Sequence, residues 1–394
     1  MNFFRSSLDF KGTNGVTKRE EHMLKTTFLS LAILLSPVLF ASEPASNTIE
    51  EQTQAFESFL LELKKEKHIP GLSVAVVKDG EIVYEEAHGI SHLEGQVPVT
   101  TETPFWIASV SKFFVGATFL KLIENGELSF DDTLNSTPGF EDYCTWLAGS
   151  GIVFGKNLQC DQTFKLKHAL NHVVNGQVDS NFFYNSIFYS RLSRFLEAKR
   201  GNPISMAEGR HNELAQAINT EIFEPAGMKD SMAGLWDEQR MDVFFRRSRG
   251  YGIEDNHYVY RRSPERHMAG GAGVSSTAGD IARFDIALDS GKILSPEFMA
   301  HTTTEYITAE GKKIPYAYGR YIQWVDGEKI IWHSGWDEEI GFTAAYIKFP
   351  ERGITVVVLA NNEGLWWGNP LDRPAIEESV VFQKASAIFT SAPK

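Results

Sequence analysis

Ser109 and Lys112 stand three residues apart where the apolar run Phe105-Trp106-Ile107-Ala108 passes into a longer apolar segment. Residues at that spacing share one face of a helix. A hydroxyl and an amine would therefore meet across one turn, and Ser-x-x-Lys is a nucleophile with a base beside it. The lysine falls in the first helical turn, where the backbone's partial positive charge disfavours an ammonium. Burial lowers a lysine pKa as well. Both effects favour a neutral amine able to take the serine proton. By itself the spacing also describes an ordinary helix start with a surface lysine. The flanks argue otherwise, because Phe113, Phe114, Val115, Ala117, Phe119, Leu120, Leu122 and Ile123 follow. A helix apolar all round is buried, and Asn125-Gly126 stops it.

Two further segments could face this pair. Phe183-Tyr184-Asn185-Ser186 opens a helical stretch that ends near Gly201, and Trp332-His333-Ser334-Gly335-Trp336 closes a strand. Taken singly, the first reads as a core tyrosine and the second as a turn.

The positioning elements can be read from periodicity. A helical stripe covers Ile49–His68, and Ile69-Pro70-Gly71 ends it. Leu72–Lys78 and Glu81–Ala87 read as strands joined at Asp79-Gly80. From about Asp131 to Glu265 strand patterns vanish, and short helical segments with polar loops take over. An amphipathic helix covers Ile281–Leu288. Strands return at Tyr316–Trp324, Lys329–Trp332, Thr343–Phe349 and Thr355–Ala360, and a last helix spans Pro374–Phe389. Strands at both ends of a chain, with helices between, predict an α+β fold with one antiparallel sheet. The sheet lobe is expected from residues 49–130 and 265–394, and an inserted, mainly helical lobe from 131–264.

In this order the motifs resemble the serine β-lactamase and penicillin-binding-protein superfamily. The class C β-lactamases and related D,D-peptidases and esterases are the nearest pattern. The resemblance runs from about Ile69 to Asn362. Ile69–Val77 is similar to the opening strand, and Ser109–Lys112 to the first motif. Ile222–Met228 is similar to a "PLGM" turn, with Ala226 where leucine is usual. Ala269-Gly270-Gly271 with Ser276-Thr277-Ala278 is similar to "GG…STA". The resemblance implies a β-lactamase/transpeptidase-like fold with the site between the lobes. It implies Ser109 as nucleophile, and Lys112 with Tyr184 as the proton-transfer pair. Backbone N–H groups of Ser109 and Trp336 would hold the oxyanion. Tyr184 needs a lowered pKa to act as a base, which an adjacent Lys112 ammonium would supply.

Two positions depart from the pattern. The second motif is Tyr-x-Asn in relatives, and Ser186 stands in its third place here. A hydroxyl has a shorter reach than an amide, and the side chain of Asn185 should point elsewhere. The third motif is Lys-Thr-Gly in class C enzymes, and His333-Ser334-Gly335 stands here. Lysine is a fixed cation that anchors a substrate carboxylate, whereas histidine, with a pKa of about 6.5, is mostly neutral at pH 7. His172 sits in a stretch whose role in relatives is structural, so it is left outside the site.

The 394 residues are 42% hydrophobic, enough for one large core or two lobes. A net charge of −13 without a basic block argues against nucleic acid as a partner. Met23–Ala41 has one basic residue, a short apolar stretch and a small residue at a plausible cut, as in a Sec signal peptide. Residues 1–22 read as an upstream extension before the true start. A secreted or periplasmic protein with no span in its mature part is expected. In that compartment Cys144 and Cys160 can close a disulfide across a Gly-rich loop. No cofactor or metal is expected, since His88 and His92 have no third ligand near them.

The sequence therefore describes an exported serine hydrolase acting on an ester, an amide, a D-amino-acid peptide or a β-lactam. A D,D-carboxypeptidase or other penicillin-binding protein, and a β-lactamase, are the rival enzymes. An acylatable sensor that turns over little is the rival of another class.

Overall fold

The computed structural model describes residues 48–201, 213–234, 240–263 and 269–390. The described residues fall within one compact unit. The expected upstream extension and signal segment, 1–22 and 23–41, lie outside the described residues.

The first helix, Ile49–Glu66, begins where its sequence specifies. Thr48 Oγ1 accepts the N–H of Glu51 at 3.2 Å, and the Glu51 carboxylate accepts the N–H of Thr48 at 3.4 Å. This reciprocal cap satisfies two donors that a helix start leaves open. The helix buries Phe56, Leu60 and Leu63. Phe56 meets Phe389 of the last helix, Val380–Phe389, with ring centres 5.5 Å apart. That helix starts later than Pro374, because a 3-10 turn at Ile376–Glu378 precedes it and Ser379 supplies its cap.

The main sheet has eight strands: β1 (Gly71–Lys78), β2 (Glu81–His92), β3 (Val97–Pro98), β4 (Tyr316–Ala317), β5 (Arg320–Val325), β6 (Glu328–Asp337), β7 (Phe342–Phe349) and β8 (Ile354–Ala360). Their order is β4-β5-β6-β7-β8-β1-β2-β3, antiparallel throughout. The two distant ends of the chain meet at β1 and β8, in register from Leu72↔Ala360 to Lys78↔Ile354. Burial along β1, β7 and β8 is continuous, so both faces of the sheet are covered. Helix Ala278–Asp289 packs on β1, β2 and β8.

The strand expected at Tyr316–Trp324 is broken into β4 and β5. Tyr318 and Gly319 between them have φ of 43° and 104°. The corner is pressed against the helix Ser111–Glu124: a Cβ on Gly319 would lie 2.2 Å from Lys112 O, and one on Gly116 would lie 1.8 Å from Tyr318 O. Sheet and helix approach this closely only through glycine on both sides. Gly116→Ala should therefore overpack the contact and cost about 1–3 kcal/mol or more. Gly149→Ala, at a site with open space around it, is the control. Urea unfolding should give a lower midpoint for the first variant only; equal midpoints would contradict the packing argument.

Helices Phe140–Gly149, Leu166–Leu170, Ser186–Ser190, Leu192–Lys199 and Glu213–Ile218 populate the inserted segment. Cys144 and Cys160 are joined, tying Phe140–Gly149 to the loop that follows it. The expected loss of strands from 131 to 265 needs correction. Met232–Ala233 pairs with Val274–Ser276, which also pairs with Phe105–Trp106. Tyr251–Glu254 and His257–Tyr260 form a hairpin. Its turn, Asp255-Asn256, has both residues at positive φ, 47° and 62°, the geometry that matches strand twist in a two-residue hairpin. The hairpin is tied to the sheet, with Arg249 N–H donating to Ser91 O at 3.0 Å and Tyr251 N–H to Asn361 O at 2.9 Å.

Candidate active site

Ser109 is the middle residue of a 3-10 turn, Ala108–Val110, which runs directly into helix Ser111–Glu124. Ala108 just before it has a φ of 45°. A left-handed alanine is strained, and such strain is held where the surroundings over-determine it. Here they do: Ser111 Oγ accepts the N–H of Val274 at 3.1 Å, and Ile107 N–H donates to Val274 O at 3.2 Å. Ser109 lies at a helical start, where the first N–H groups lack intrahelical acceptors.

Lys112 is fully buried. Its Nζ lies 2.9 Å from Ser109 Oγ, 3.0 Å from Ser186 Oγ and 2.6 Å from Gly271 O. A neutral amine has two hydrogens and one lone pair. Gly271 O can only accept, so it takes one hydrogen. Ser186 Oγ takes the other, and the lone pair is left for the Ser109 hydroxyl. Three such contacts suit either the three donors of an ammonium or the two hydrogens and lone pair of a neutral amine, and burial favours the neutral form. Gly270 and Gly271 make the approach possible, since Cβ atoms there would lie 2.3 Å from Tyr189 O and 2.5 Å from Ser190 Oγ.

Tyr184 is buried, and its ring centre lies 4.9 Å from Lys112 Nζ. Its Oη has no partner within hydrogen-bonding distance, while the Ser109 and Ser186 hydroxyls are close enough to offset part of its burial. His172, read from sequence as structural, is packed on this tyrosine with ring centres 4.4 Å apart. Its Nδ1 accepts the N–H of Asn185 at 3.0 Å. It therefore fixes the backbone between Tyr184 and Ser186. The Asn185 side chain turns away, accepting Phe188 N–H at 3.0 Å and donating to Phe154 O at 2.8 Å.

On the facing strand, His333 is buried and hydrogen-bonded on both ring nitrogens. Nδ1 donates to Ser334 O at 2.7 Å, and Nε2 accepts from Tyr316 Oη at 2.9 Å. That tautomer follows from the carbonyl, which can only accept. Ser334 is buried beside it. A Cβ on Gly335 would lie 2.1 Å from Ile107 O, so glycine lets β6 close on the turn that carries Ser109. Pairing of β5 with β6 stops at Trp332, while β7 continues to pair through Asp337. Residues 333–337 thus carry a strand partner on one side. Trp336 is exposed and stacked on Trp366. Sequence reasoning missed the Gly271 carbonyl, Tyr316 and the anchoring part of His172; only the Gly-Gly pair gave a signal. His88 and His92 face Glu57 and Arg247 O instead of a shared ligand.

Burial sets the charges. It holds the Lys112 amine well below 10.5, with no carboxylate among its partners to oppose it. Burial also pushes the Tyr184 phenol up. The expectation that Lys112 lowers this phenol is therefore corrected: burial outweighs the nearby hydroxyls and the phenol is raised. His333 is pushed down to about 3, chiefly by burial.

With Lys112 as the base, these directions give the expected pH dependence. A base whose pKa is depressed acts above that pKa and is lost as pH falls through it. The kcat/KM of an ester should rise with pH through a midpoint well below 10.5. His333 should add no limb between pH 5 and 8, because it titrates near about 3. A stopped-flow pH profile checks both; a midpoint at the ordinary lysine value would contradict the neutral amine.

A sequence profile described as Beta-lactamase matches residues 48–380. Penicillin-binding protein 4* of Bacillus subtilis (strain 168) is 25% identical over 339 residues, covering 77% of this chain and 71% of its own length. The D-aminopeptidase of Brucella anthropi is 24% identical over 307 residues, covering 72% of this chain, and the chain spans 55% of its length. The octameric penicillin-binding protein homologue from Pyrococcus abyssi shares the fold, with a TM-score of 0.65 at 23% identity over 86% of this chain and 77% of that one. EstCE1, a hydrolase with promiscuous acyltransferase activity, has a TM-score of 0.61 at 18% identity over 86% of this chain and 98% of its own. From the cap of its first helix to the start of its last, the chain belongs to the Beta-lactamase family of serine hydrolases.

Proposed function

We propose that the chain is an exported hydrolase that cleaves an ester or amide through an acyl-enzyme on Ser109. The observation that carries this reading is the buried Lys112 Nζ, 2.9 Å from Ser109 Oγ. As Oγ bonds to the substrate carbonyl carbon, the amine takes its proton. The N–H groups of Ser109 and Trp336 hold the oxyanion. When the intermediate collapses, the bond to the leaving group breaks and the Tyr184 phenol gives that group a proton. The Lys112 ammonium then returns its proton to Tyr184, so both groups end neutral. Water repeats the sequence on the acyl ester: the amine takes its proton, the acid leaves, and Ser109 is reprotonated.

The one-sided edge of residues 333–337 suits a peptide-like substrate lying along it. The penicillin-binding protein and D-aminopeptidase relatives are in keeping with that. A β-lactam carboxylate finds less here, since His333 is neutral where class C relatives carry lysine. Export is supported by the Met23–Ala41 segment and by the Cys144–Cys160 bond, which belongs to an oxidising compartment.

A substrate panel tests this. Purified protein recovered from the periplasm or medium should begin at Ser42. It should release p-nitrophenol from p-nitrophenyl acetate, or p-nitroaniline from D-alanine p-nitroanilide, faster than it opens nitrocefin. Nitrocefin opening as the fastest reaction would shift the reading to a β-lactamase. A lasting adduct without turnover would shift it to a sensor.

A further inference from the structure

The residue after Gly335 is a tryptophan whose ring stays out of the core. Trp336 is 38% exposed, and it lies parallel on Trp366 with ring centres 5.0 Å apart and planes at 5°. Its indole N–H donates to Glu363 Oε2 at 3.2 Å, and the backbone O of Glu363 accepts the N–H of Trp366 at 3.0 Å. One residue thus holds the Trp336 indole and the Trp366 backbone.

The segment that carries Trp366 is braced along its length. Leu365 is buried, and its N–H donates to Thr343 Oγ1 at 3.4 Å. The Trp367 indole donates to Ala375 O at 2.9 Å, and its ring lies 5.7 Å from buried Trp332. At the far end, Leu371 O accepts the N–H of Tyr184 at 2.7 Å. Residues 363–371 therefore run from Trp336 to Tyr184. The proposed mechanism puts these two residues at the oxyanion and at the leaving group.

We infer that Trp336 and Trp366 form a shelf for the acyl substituent, selecting acyl groups that carry a flat apolar ring over short alkyl ones. The inference rests on the Ser109 acyl-enzyme reading. The Trp336 N–H and its side chain share one Cα, so an oxyanion held by that N–H leaves the acyl substituent beside the indole. Two parallel indoles offer a broad apolar face, and aromatic pairs gain beyond the area they bury. Held by Glu363 and by the braced segment, the rings are ordered before substrate arrives, which cuts the cost of binding. The Glu363 carboxylate at the edge of the shelf disfavours a substituent with its own negative charge.

The test compares p-nitrophenyl phenylacetate with p-nitrophenyl acetate in the wild-type protein, Trp366→Ala and Trp366→Phe. The ratio of kcat/KM values, phenylacetate to acetate, should fall about tenfold in Trp366→Ala, the size of one aromatic contact. Trp366→Phe should recover most of it. A purely structural role would lower both esters together and leave the ratio unmoved, which would overturn the inference. Wild-type protein that forms no acyl-Ser109 with either ester would sink the catalytic reading and the shelf together. Acylation with an unmoved ratio would sink the shelf alone.

Discussion

Ser109→Ala should lose ester turnover by on the order of 10⁴-fold or more, as when a catalytic nucleophile is removed, and it should stay folded. Both halves follow from the contacts. In the proposed mechanism this hydroxyl is the group that bonds to the carbonyl carbon, and no other hydroxyl can replace it from the same place. Ser186 Oγ is 3.0 Å from the same amine, but it sits on another helix and its neighbours supply no strained turn. For stability the loss is small. The Lys112 amine keeps Ser186 Oγ and Gly271 O after the change, so one hydrogen bond worth about 0.5–1.5 kcal/mol goes. Ser109 is only half-buried, which keeps the cost at the low end. Circular dichroism and ester release measured on one preparation check both. Retention of a tenth of the wild-type rate would remove Ser109 from the chemistry.

Lys112→Arg and Lys112→Met should each lower kcat by on the order of 10³-fold, within the range of a lost general base. The pair separates two roles for the lysine. Arginine keeps a cation and several donors, but it cannot give up its proton at any working pH. Methionine is apolar, of similar length, and accepts burial without a desolvation cost. A lysine that only attracted the oxyanion would be rescued by arginine. A lysine that takes the serine proton would be rescued by neither. The pH limb assigned to Lys112 should also vanish from whatever rate remains. An arginine variant with near wild-type kcat would assign the base to Tyr184, against the direction in which burial pushes its phenol.

The meeting of Ser109 and Lys112 was legible because its evidence is local. A three-residue spacing and an apolar flank are properties of one helix, and tertiary structure had little room to alter them. The His333-Ser334-Gly335 segment was legible only by resemblance. Its strand was expected to end at Trp332, yet β6 runs to Asp337. Ser334 and Gly335 carry no strand propensity, and pairing with β7 holds them extended instead. The hairpin at Tyr251–Tyr260 was missed because Asp255-Asn256 lacks the glycine that usually marks such a turn. The corner at Tyr318-Gly319 was missed for another reason: it answers to Gly116, some two hundred positions earlier, and no sequence window contains both.

The charge state of the site was half legible. Burial of Lys112 could be read from its flanks, and with it the downward direction of its pKa. Burial of Tyr184 depends on His172, Tyr316 and Tyr321, whose rings surround it. Those residues lie on a loop before the helical stretch and on two strands far along the chain, so the raised phenol could not be foreseen. The Gly271 carbonyl had no side chain to give it away. Its part is visible only where the Gly-Gly turn comes against Ser186 and Ser190.

The central claim is that the carbonyl carbon of the substrate becomes bonded to Ser109 Oγ. The most direct measurement is the intact mass of the protein mixed with a penicillin or p-nitrophenyl phenylacetate and quenched in acid, followed by peptide mapping. The expected result is a gain equal to the bound acyl group, confined to the peptide containing Ser109 and absent from Ser109→Ala. An adduct mapped to another residue, or turnover and adduct both undiminished in Ser109→Ala, would contradict it.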